Sequence, residues 1–178
     1  MATWTVVGNR QSSRFAQTVA ASATVVALSL TWACTGTDGS SSADSELPCE
    51  TAVHRDAEFP EWSRDANPPP GLAFVESTNG AAIGVLFVDP LIAGQRDDGR
   101  ANKILWIVRE PRNGSDLVIE GTTVEGNATI GDVRLAADSS PGEIYPSSID
   151  VPEAGCWTLD LRWDSNSATV VVPYAAAD

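Results

Sequence analysis

Histidine is almost absent from this chain, and its scarcity excludes the commonest forms of side-chain catalysis. The 178 residues contain one histidine, His54, in an irregular stretch of sequence. Nucleophilic catalysis of the Ser-His-Asp type needs a base beside the nucleophile, and we do not expect His54 to act as one. Glycine-rich phosphate loops and Gly-x-Ser-x-Gly elbows are also missing from the sequence. We therefore predict no catalytic residue and no cofactor.

Basic residues are scarce as well. The chain has 11 Lys and Arg residues against 24 Asp and Glu residues, and its single lysine is Lys103. Nucleic-acid binding needs basic surface to neutralise phosphates, and electrostatic docking onto anionic lipid needs the same. The composition opposes both and favours an acidic, well-solvated surface.

The longest stretch with little charge lies near the N-terminus. Residues 1–33 include Arg10 and Arg14 and no acidic residue, and the chain from Phe15 to Ala33 is mostly small or apolar. This is the pattern of a signal peptide. Serine, threonine and glutamine interrupt the run, so it is a poor match to the about 20 apolar residues of a spanning helix, which remains the alternative. Removal of residues 1–33 leaves nine Lys and Arg residues against 24 acids.

A cysteine follows this run directly. Leu28 to Cys34 reads Leu-Ser-Leu-Thr-Trp-Ala-Cys, in which a small residue precedes a cysteine, as in bacterial lipoprotein signals. The threonine and the tryptophan depart from that pattern. We predict cleavage before Cys34, a lipid on Cys34, and a location at the outer face of the cytoplasmic membrane. Because 35–46 carries no large apolar residue, we predict a flexible tether over 34–48.

The cysteine count indicates one disulfide. The three cysteines are Cys34, Cys49 and Cys156. If Cys34 carries lipid, two remain, and in an oxidising compartment they are expected to form a Cys49–Cys156 bond. Two buried free thiols are the alternative, and a zinc site is not expected, because two cysteines cannot complete a tetrahedral site alone. Alternation turns Cys156 away from the face of Trp157, so the bond should lie at a rim of the domain and pin the segment after Cys49.

No long stretch has apolar residues at helical spacing, and this absence favours an all-β domain. Short apolar runs separated by turn residues fill the chain from 72 to 174. The proline-rich segment 49–71 contains Phe59 and Trp62 and is expected to pack on this domain, and 175–178 form a tail. The candidate strands are 73–77, 82–88, 103–109, 117–120, 122–125, 129–135, 147–151, 157–163 and 168–173.

Two of these strands have distinct patterns. Apolar and polar residues alternate over 157–163, which indicates one buried face and one wet face. The run 104–108 is continuously apolar, as in a central strand covered on both sides. Asn79-Gly80 and Asp164-Ser165-Asn166 predict hairpin turns. Seven to nine short antiparallel strands predict an immunoglobulin-like β-sandwich over 72–174, with a small barrel as the alternative.

Aromatic and acidic residues offer two weaker binding signals. Trp106, Trp157 and Trp163 lie on apolar strand faces and are predicted to be core residues. Trp62 has no strand to explain it, so it is a candidate ligand contact, although covering of a sheet edge is the favoured interpretation. Asp97-Asp98 could contribute oxygens to calcium. A solvated loop is favoured there, and no metal site is predicted.

Two segments together resemble a known group of proteins. Asn102–Arg109 reads Asn-Lys-Ile-Leu-Trp-Ile-Val-Arg, and Val151–Leu159 reads Val-Pro-Glu-Ala-Gly-Cys-Trp-Thr-Leu. This combination resembles a group of uncharacterised bacterial extracytoplasmic lipoproteins, notably of actinobacteria and related soil bacteria. The resemblance covers roughly 72–174 and implies an exported sandwich-like domain, but it implies no activity. On the residues alone, Gly155 allows a sharp turn into the strand that follows.

The sequence therefore predicts a non-enzymatic binding or interaction domain, held at the cell envelope by the lipid on Cys34. Its expected ligand is an envelope protein or a carbohydrate. The alternatives are a cell-envelope hydrolase with paired carboxylates and a purely structural envelope protein. A deep cleft holding two acids of raised pKa would favour the hydrolase, and a smooth convex sandwich would favour binding.

Overall fold

Two five-stranded β-sheets form a sandwich in the computed structural model, which describes residues 49–94 and 99–177. The predicted all-β sandwich is confirmed. The predicted signal peptide (1–33), the lipidation site Cys34, the tether (34–48) and Asp97-Asp98 lie outside the described residues. The strands are β1 (Val53–His54), β2 (Phe74–Glu76), β3 (Ala82–Leu86), β4 (Leu91–Ile92), β5 (Lys103–Val108), β6 (Leu117–Thr123), β7 (Thr129–Leu135), β8 (Ile144–Ser148), β9 (Gly155–Trp163) and β10 (Asn166–Ala175).

The strand order interleaves the two sheets along the chain. The first sheet has the order β1-β2-β3-β5-β8, and the second has the order β4-β10-β9-β6-β7. Neighbouring strands are antiparallel, except that β4 runs parallel to β10. The chain crosses to the other sheet after β3, β4, β5, β7 and β8. Each sheet is thus assembled from distant parts of the chain.

Three strand predictions differ from the structure. The predicted strands 117–120 and 122–125 are one strand, β6, because Gly121 continues the ladder through a β-bulge instead of ending it. Strand β8 covers 144–148 and not 147–151, and Pro146 is tolerated in it because β8 is an edge strand. Strands β1 and β4 have two residues each, which is too few for any alternation to predict.

The alternation in β9 builds the core between the sheets. Trp157, Leu159, Leu161 and Trp163 are at most 1% exposed and belong to one apolar cluster. The turn predicted at Asp164-Ser165-Asn166 joins this strand as a hairpin to β10, which already begins at Asn166. Burial of such large apolar side chains is the main favourable term for a fold of this kind.

A second apolar cluster lies on the outer face of the first sheet. Phe74, Ile83, Val85 and Ile107 form it, on strands β2, β3 and β5. The segment before β2 covers this face, and its 3-10 helix Glu61–Ala66 lies against β5. This third layer explains why β3 and β5 are apolar on both faces. The partly buried side chains packed on the cluster are Phe59, Trp62, Ala66, Leu72, Leu105 and Ile144.

The sandwich has two distinct ends. At one end, which we call the disulfide end, the Tyr174 hydroxyl donates to the Ile149 carbonyl at 3.0 Å and joins the C-terminal part of β10 to the residue after β8. Cys156 lies at the same end, near the start of β9. At the opposite end, Nδ2 of Asn79 donates to the Ser167 carbonyl at 2.9 Å. The loops 109–116, 136–143 and 164–165 lie at this opposite end, and we call them the distal loops.

Candidate functional site

The predicted disulfide is present at one end of the sandwich. Cys49 and Cys156 are bonded, with their Cα atoms 5.7 Å apart. Cys156 lies opposite Pro173 in the register of β9 and β10, and it is 4% exposed. It is outside the cluster that contains Trp157, as expected for alternating side chains. The bond attaches Cys49 to the second sheet, while β1, only a few residues later, joins the edge of the first sheet.

His54 is a residue of the edge strand β1 of the first sheet, whereas Trp62 belongs to the layer that covers that sheet. His54 lies opposite Phe74 in the register of β1 and β2, and its ring stacks on the Phe74 ring with centroids 4.7 Å apart. Trp62 packs, partly buried, against the outer apolar cluster. Trp62 is therefore a packing residue, and His54 is an exposed strand residue whose ring rests on Phe74.

The three tryptophans predicted to be core residues are buried with their polar atoms satisfied. The indole N–H of Trp106 donates to Oγ of Ser147 at 3.1 Å. Trp157 donates to the Glu153 carbonyl, also at 3.1 Å. A buried tryptophan usually needs such a partner. Their role is therefore structural.

Asn102 and Gly155, one in each motif segment, have clear physical roles. Asn102 is fully buried, and its side chain makes two hydrogen bonds with the backbone of Ile92, at 3.0 and 2.8 Å. It also donates to Asp150 at 2.9 Å. Asn102 thereby attaches β4 to the first sheet. Gly155 has a φ of +143°, which L-residues rarely adopt, and it leads the chain into β9.

Exposed apolar surface is found at the disulfide end. Phe87 is 46% exposed and Val124 is 59% exposed, and these are the large exposed hydrophobic side chains of the described residues. Phe87 separates two open depressions of about 260 and 280 Å³. Its backbone N–H donates to the Lys103 carbonyl at 3.0 Å, which extends the pairing of β3 and β5. The depressions are lined by Arg55, Asp56, Gly71, Leu72, Ala73, Leu86 and Asp89 on one side of Phe87, and by Val88, Gly99, Arg100, Ala101 and Lys103 on the other.

An ion-pair cluster beside Phe87 holds the start of the described chain. Arg55 donates two hydrogen bonds to the carboxylate of Asp89, at 2.5 and 2.7 Å, and a third to Glu50. Glu50 follows Cys49 directly. The charge of Arg55 is therefore already balanced by two carboxylates, and it is not available to attract an anionic ligand.

The distal loops are held together by side-chain hydrogen bonds. The Arg112 guanidinium donates to the carbonyls of Ile144 and Ser140 at 2.8 and 3.0 Å, and it lies 5.0 Å from the centroid of the Tyr145 ring. The Tyr145 hydroxyl donates to the Ser115 carbonyl at 2.7 Å. Arg112 and Tyr145 thus fix loop 109–116 against the end of loop 136–143.

The third distal loop is attached to the first in the same way. Nδ2 of Asn113 donates to the carboxylate of Asp164 at 2.9 Å. The indole N–H of Trp163 donates to the Glu110 carbonyl at 3.1 Å. The three distal loops therefore form one connected surface, and its exposed acidic side chains are Glu110, Asp138, Glu143 and Asp164.

The outer face of the second sheet is polar and carries a charge network. Arg162 forms an ion pair with Glu120 at 2.7 Å. The hydrogen bond from Arg162 holds the pKa of the Glu120 carboxyl below its ordinary value, and a hydrogen bond with Asp132 acts in the same direction. Glycoside hydrolysis needs an acid whose pKa is raised, and Glu120 is shifted the opposite way.

Within 49–94 and 99–177, no group of three or more His, Cys, Asp and Glu residues could hold a metal ion. The helices of these ranges include none that is long and apolar enough to cross a membrane. No family model, curated protein or solved structure matches the chain.

The sequence did not predict how the distal loops are connected. Asn113-Gly114 signals a turn, and φ is positive at both residues. Nothing in the sequence indicates that Arg112 bonds carbonyls about 30 positions further along the chain. Those contacts depend on the crossing of the chain between the two sheets.

Proposed function

We propose that this protein is a lipid-anchored extracytoplasmic binding domain of the bacterial envelope, related to the lipoproteins that its two motif segments resemble. The lipid is carried on Cys34, and residues 34–48 form the tether. The domain acts by presenting the distal loops to a partner, without catalysis.

The main observation in support of this proposal is that the two ends of the sandwich differ: the chain is attached at the disulfide end, and the ordered distal loops lie at the opposite end. The chain from Cys34 reaches the domain at Cys49, which is fixed by its disulfide to Cys156. The distal loops lie at the opposite end and are held in one arrangement by Arg112, Tyr145 and Asn113. Loops positioned by a rigid scaffold are common sites of binding, and prior ordering lowers the entropic cost of association.

The immunoglobulin-like interpretation of the sandwich supports the same surface. Strands β5 and β6 belong to opposite sheets and are joined by loop 109–116, while β9 and β10 are joined by loop 164–165. In immunoglobulin variable domains, loops between corresponding strands cluster at one end of the sandwich and bind antigen. The parallel pairing of β4 with β10, at the edge of the second sheet, is compatible with this arrangement.

The charge of the distal loops favours an envelope protein with a basic patch over a neutral carbohydrate. Glu110, Asp138, Glu143 and Asp164 are exposed there. Complementary charge increases the rate of encounter and helps to select the partner. Binding should accordingly weaken as the salt concentration rises.

A photo-crosslinking amino acid at Ser139 tests the proposal in intact cells. Ser139 is exposed in a distal loop, and Thr122, exposed on the outer face of the second sheet, is the matched control position. We expect one protein adduct from position 139 and none from position 122. The adduct should disappear when Glu110→Lys and Asp138→Lys are introduced together. Equal adducts from both positions, or an adduct unaffected by the charge reversal, would contradict the proposal.

A further inference from the structure

The exposed apolar side chains lie at the end of the sandwich where the chain arrives from Cys34. Val124 follows β6, and its backbone N–H donates to the carbonyl of Cys156 at 2.8 Å. Phe87 follows β3 and is bonded to Lys103 at the start of β5. Cys156 holds Cys49, the first described residue. Both exposed side chains therefore share the disulfide end with the point at which the tether joins the domain.

The tether is short enough to keep this end near the bilayer. A flexible chain with the length of 34–48 has a root-mean-square end-to-end distance of roughly 20 Å. A lipid on Cys34 would hold that residue at the membrane surface. Cys49 and its surroundings would then stay close to the membrane surface, at a distance from it comparable to the size of the domain.

We propose that Phe87 and Val124 contact the interfacial region of the bilayer and orient the domain with its disulfide end toward the membrane. This inference rests on the proposed lipid anchor. It adds a second, reversible contact made by the folded domain and places the distal loops on the side that faces away from the membrane.

The charges at the disulfide end do not favour attraction to anionic lipid, so the contact depends on the apolar side chains. Arg55 is already paired with Glu50 and Asp89. Arg100 and Lys103 line the depression on the other side of Phe87, while Glu125 and Glu153 are exposed at the same end. Because acidic residues outnumber basic ones by 24 to 11 in the chain, we do not expect attraction to anionic lipid to drive the contact. A phenylalanine and a valine alone would bind a membrane weakly. A short tether compensates, because it raises the effective concentration to the order of mM.

The tryptophan variant Phe87→Trp provides a direct test. The protein is purified from membranes, reconstituted in vesicles of phosphatidylcholine mixed with anionic phosphatidylglycerol, and compared with the same protein in vesicles of the same lipids whose acyl chains carry bromine near the headgroup. We expect the emission added by Phe87→Trp to be quenched by bromine. Pro111→Trp, in an exposed distal loop, should add emission that is not quenched. Raising the salt concentration should not reduce the quenching.

Flotation of the vesicles distinguishes the proposed lipid anchor from the proposed contact of Phe87 with the membrane. Protein that does not float with the vesicles would overturn both the lipid anchor and the membrane contact. Protein that floats, while Phe87→Trp emission is unquenched, would overturn the membrane contact and leave the anchor in place. Emission that changes with protein density in the vesicle, but not with bromine, would mean that a second copy of the chain covers Phe87, and it would also overturn the proposal. Quenching that salt abolishes would contradict the apolar mechanism.

Discussion

Gly84 of β3 lies directly opposite Trp106 of β5, and the Trp106 ring occupies the space that a side chain at position 84 would need. A Cβ atom on Gly84 would lie 2.7 Å from Cζ3 of that ring and 3.1 Å from Cγ2 of Ile104. Contacts under 3.0 Å require something to move, and the Trp106 ring is fully buried. Glycine at this position is therefore a packing requirement of the core.

The variant Gly84→Ala should reduce the free energy of unfolding by about 1–3 kcal/mol, the usual cost of overpacking a core. Gly131→Ala is the matched control, because a Cβ there meets nothing within 4 Å. It should change stability by no more than about 0.5 kcal/mol. Urea denaturation of both variants measures the difference. A Gly84→Ala protein as stable as the parent would show that the core is looser than described.

Loss of the Cys49–Cys156 bond should destabilise the domain and release the covering layer. The bond spans 107 residues, for which the chain-entropy estimate is about 4–5 kcal/mol. We expect reduction, or the double variant Cys49→Ser with Cys156→Ser, to lower the denaturation midpoint. Proteases should then cut first within 49–71. The starting protein must show no reactive thiol from these two residues when it is denatured without reductant, and two such thiols would disprove the bond.

Tyr145 should make stability fall at high pH. Burial raises the pKa of its hydroxyl to about 12, against about 10 in an unfolded chain. Between these two pH values the unfolded state has lost the proton while the folded state keeps it, so the free energy of unfolding falls as pH rises. Tyr145→Phe should show a shallower fall over this range. The variant should also lose about 0.5–1.5 kcal/mol at neutral pH with the hydrogen bond to Ser115. Identical slopes for variant and parent would contradict the assignment.

Arg112 should be the residue that keeps the distal loops ordered. Arg112→Met removes two charge-assisted hydrogen bonds to backbone carbonyls, each worth about 1.5–3 kcal/mol. Amide hydrogen exchange should accelerate in 137–144 while the core of β9 stays protected. Arg109→Met, at an exposed position at the start of the same loop, is the control and should leave exchange unchanged. Equal exchange in the two variants would remove the argument for a preordered surface.

Long strands with regular alternation could be predicted from the sequence, because the polarity of each side chain indicates whether it lies on the buried or the exposed face of the strand. The pattern over 157–163 placed four apolar side chains correctly in the core. The continuous run 104–108 correctly indicated a strand covered on both sides, since Trp106 faces the core and Ile107 faces the outer layer.

Features that depend on distant partners could not be predicted in this way. Strand β4 exists because Asn102 and β10 supply its hydrogen bonds. The distal loops are ordered by Arg112, whose partners are brought near only by the assembled sheets. Gly121 suggested a break between two strands, whereas the close packing of Ile130 and Leu159 around it makes it part of a continuous one.

The mass of the protein extracted from the cell membrane tests the anchor most directly. We expect a chain that begins at Cys34, lacks residues 1–33, and carries the added mass of acyl chains on its first residue. We also expect Cys34→Ala to move the domain from the membrane fraction to the soluble fraction. A membrane-bound protein that retains residues 1–33 and no lipid would contradict the account and identify that segment as a spanning helix.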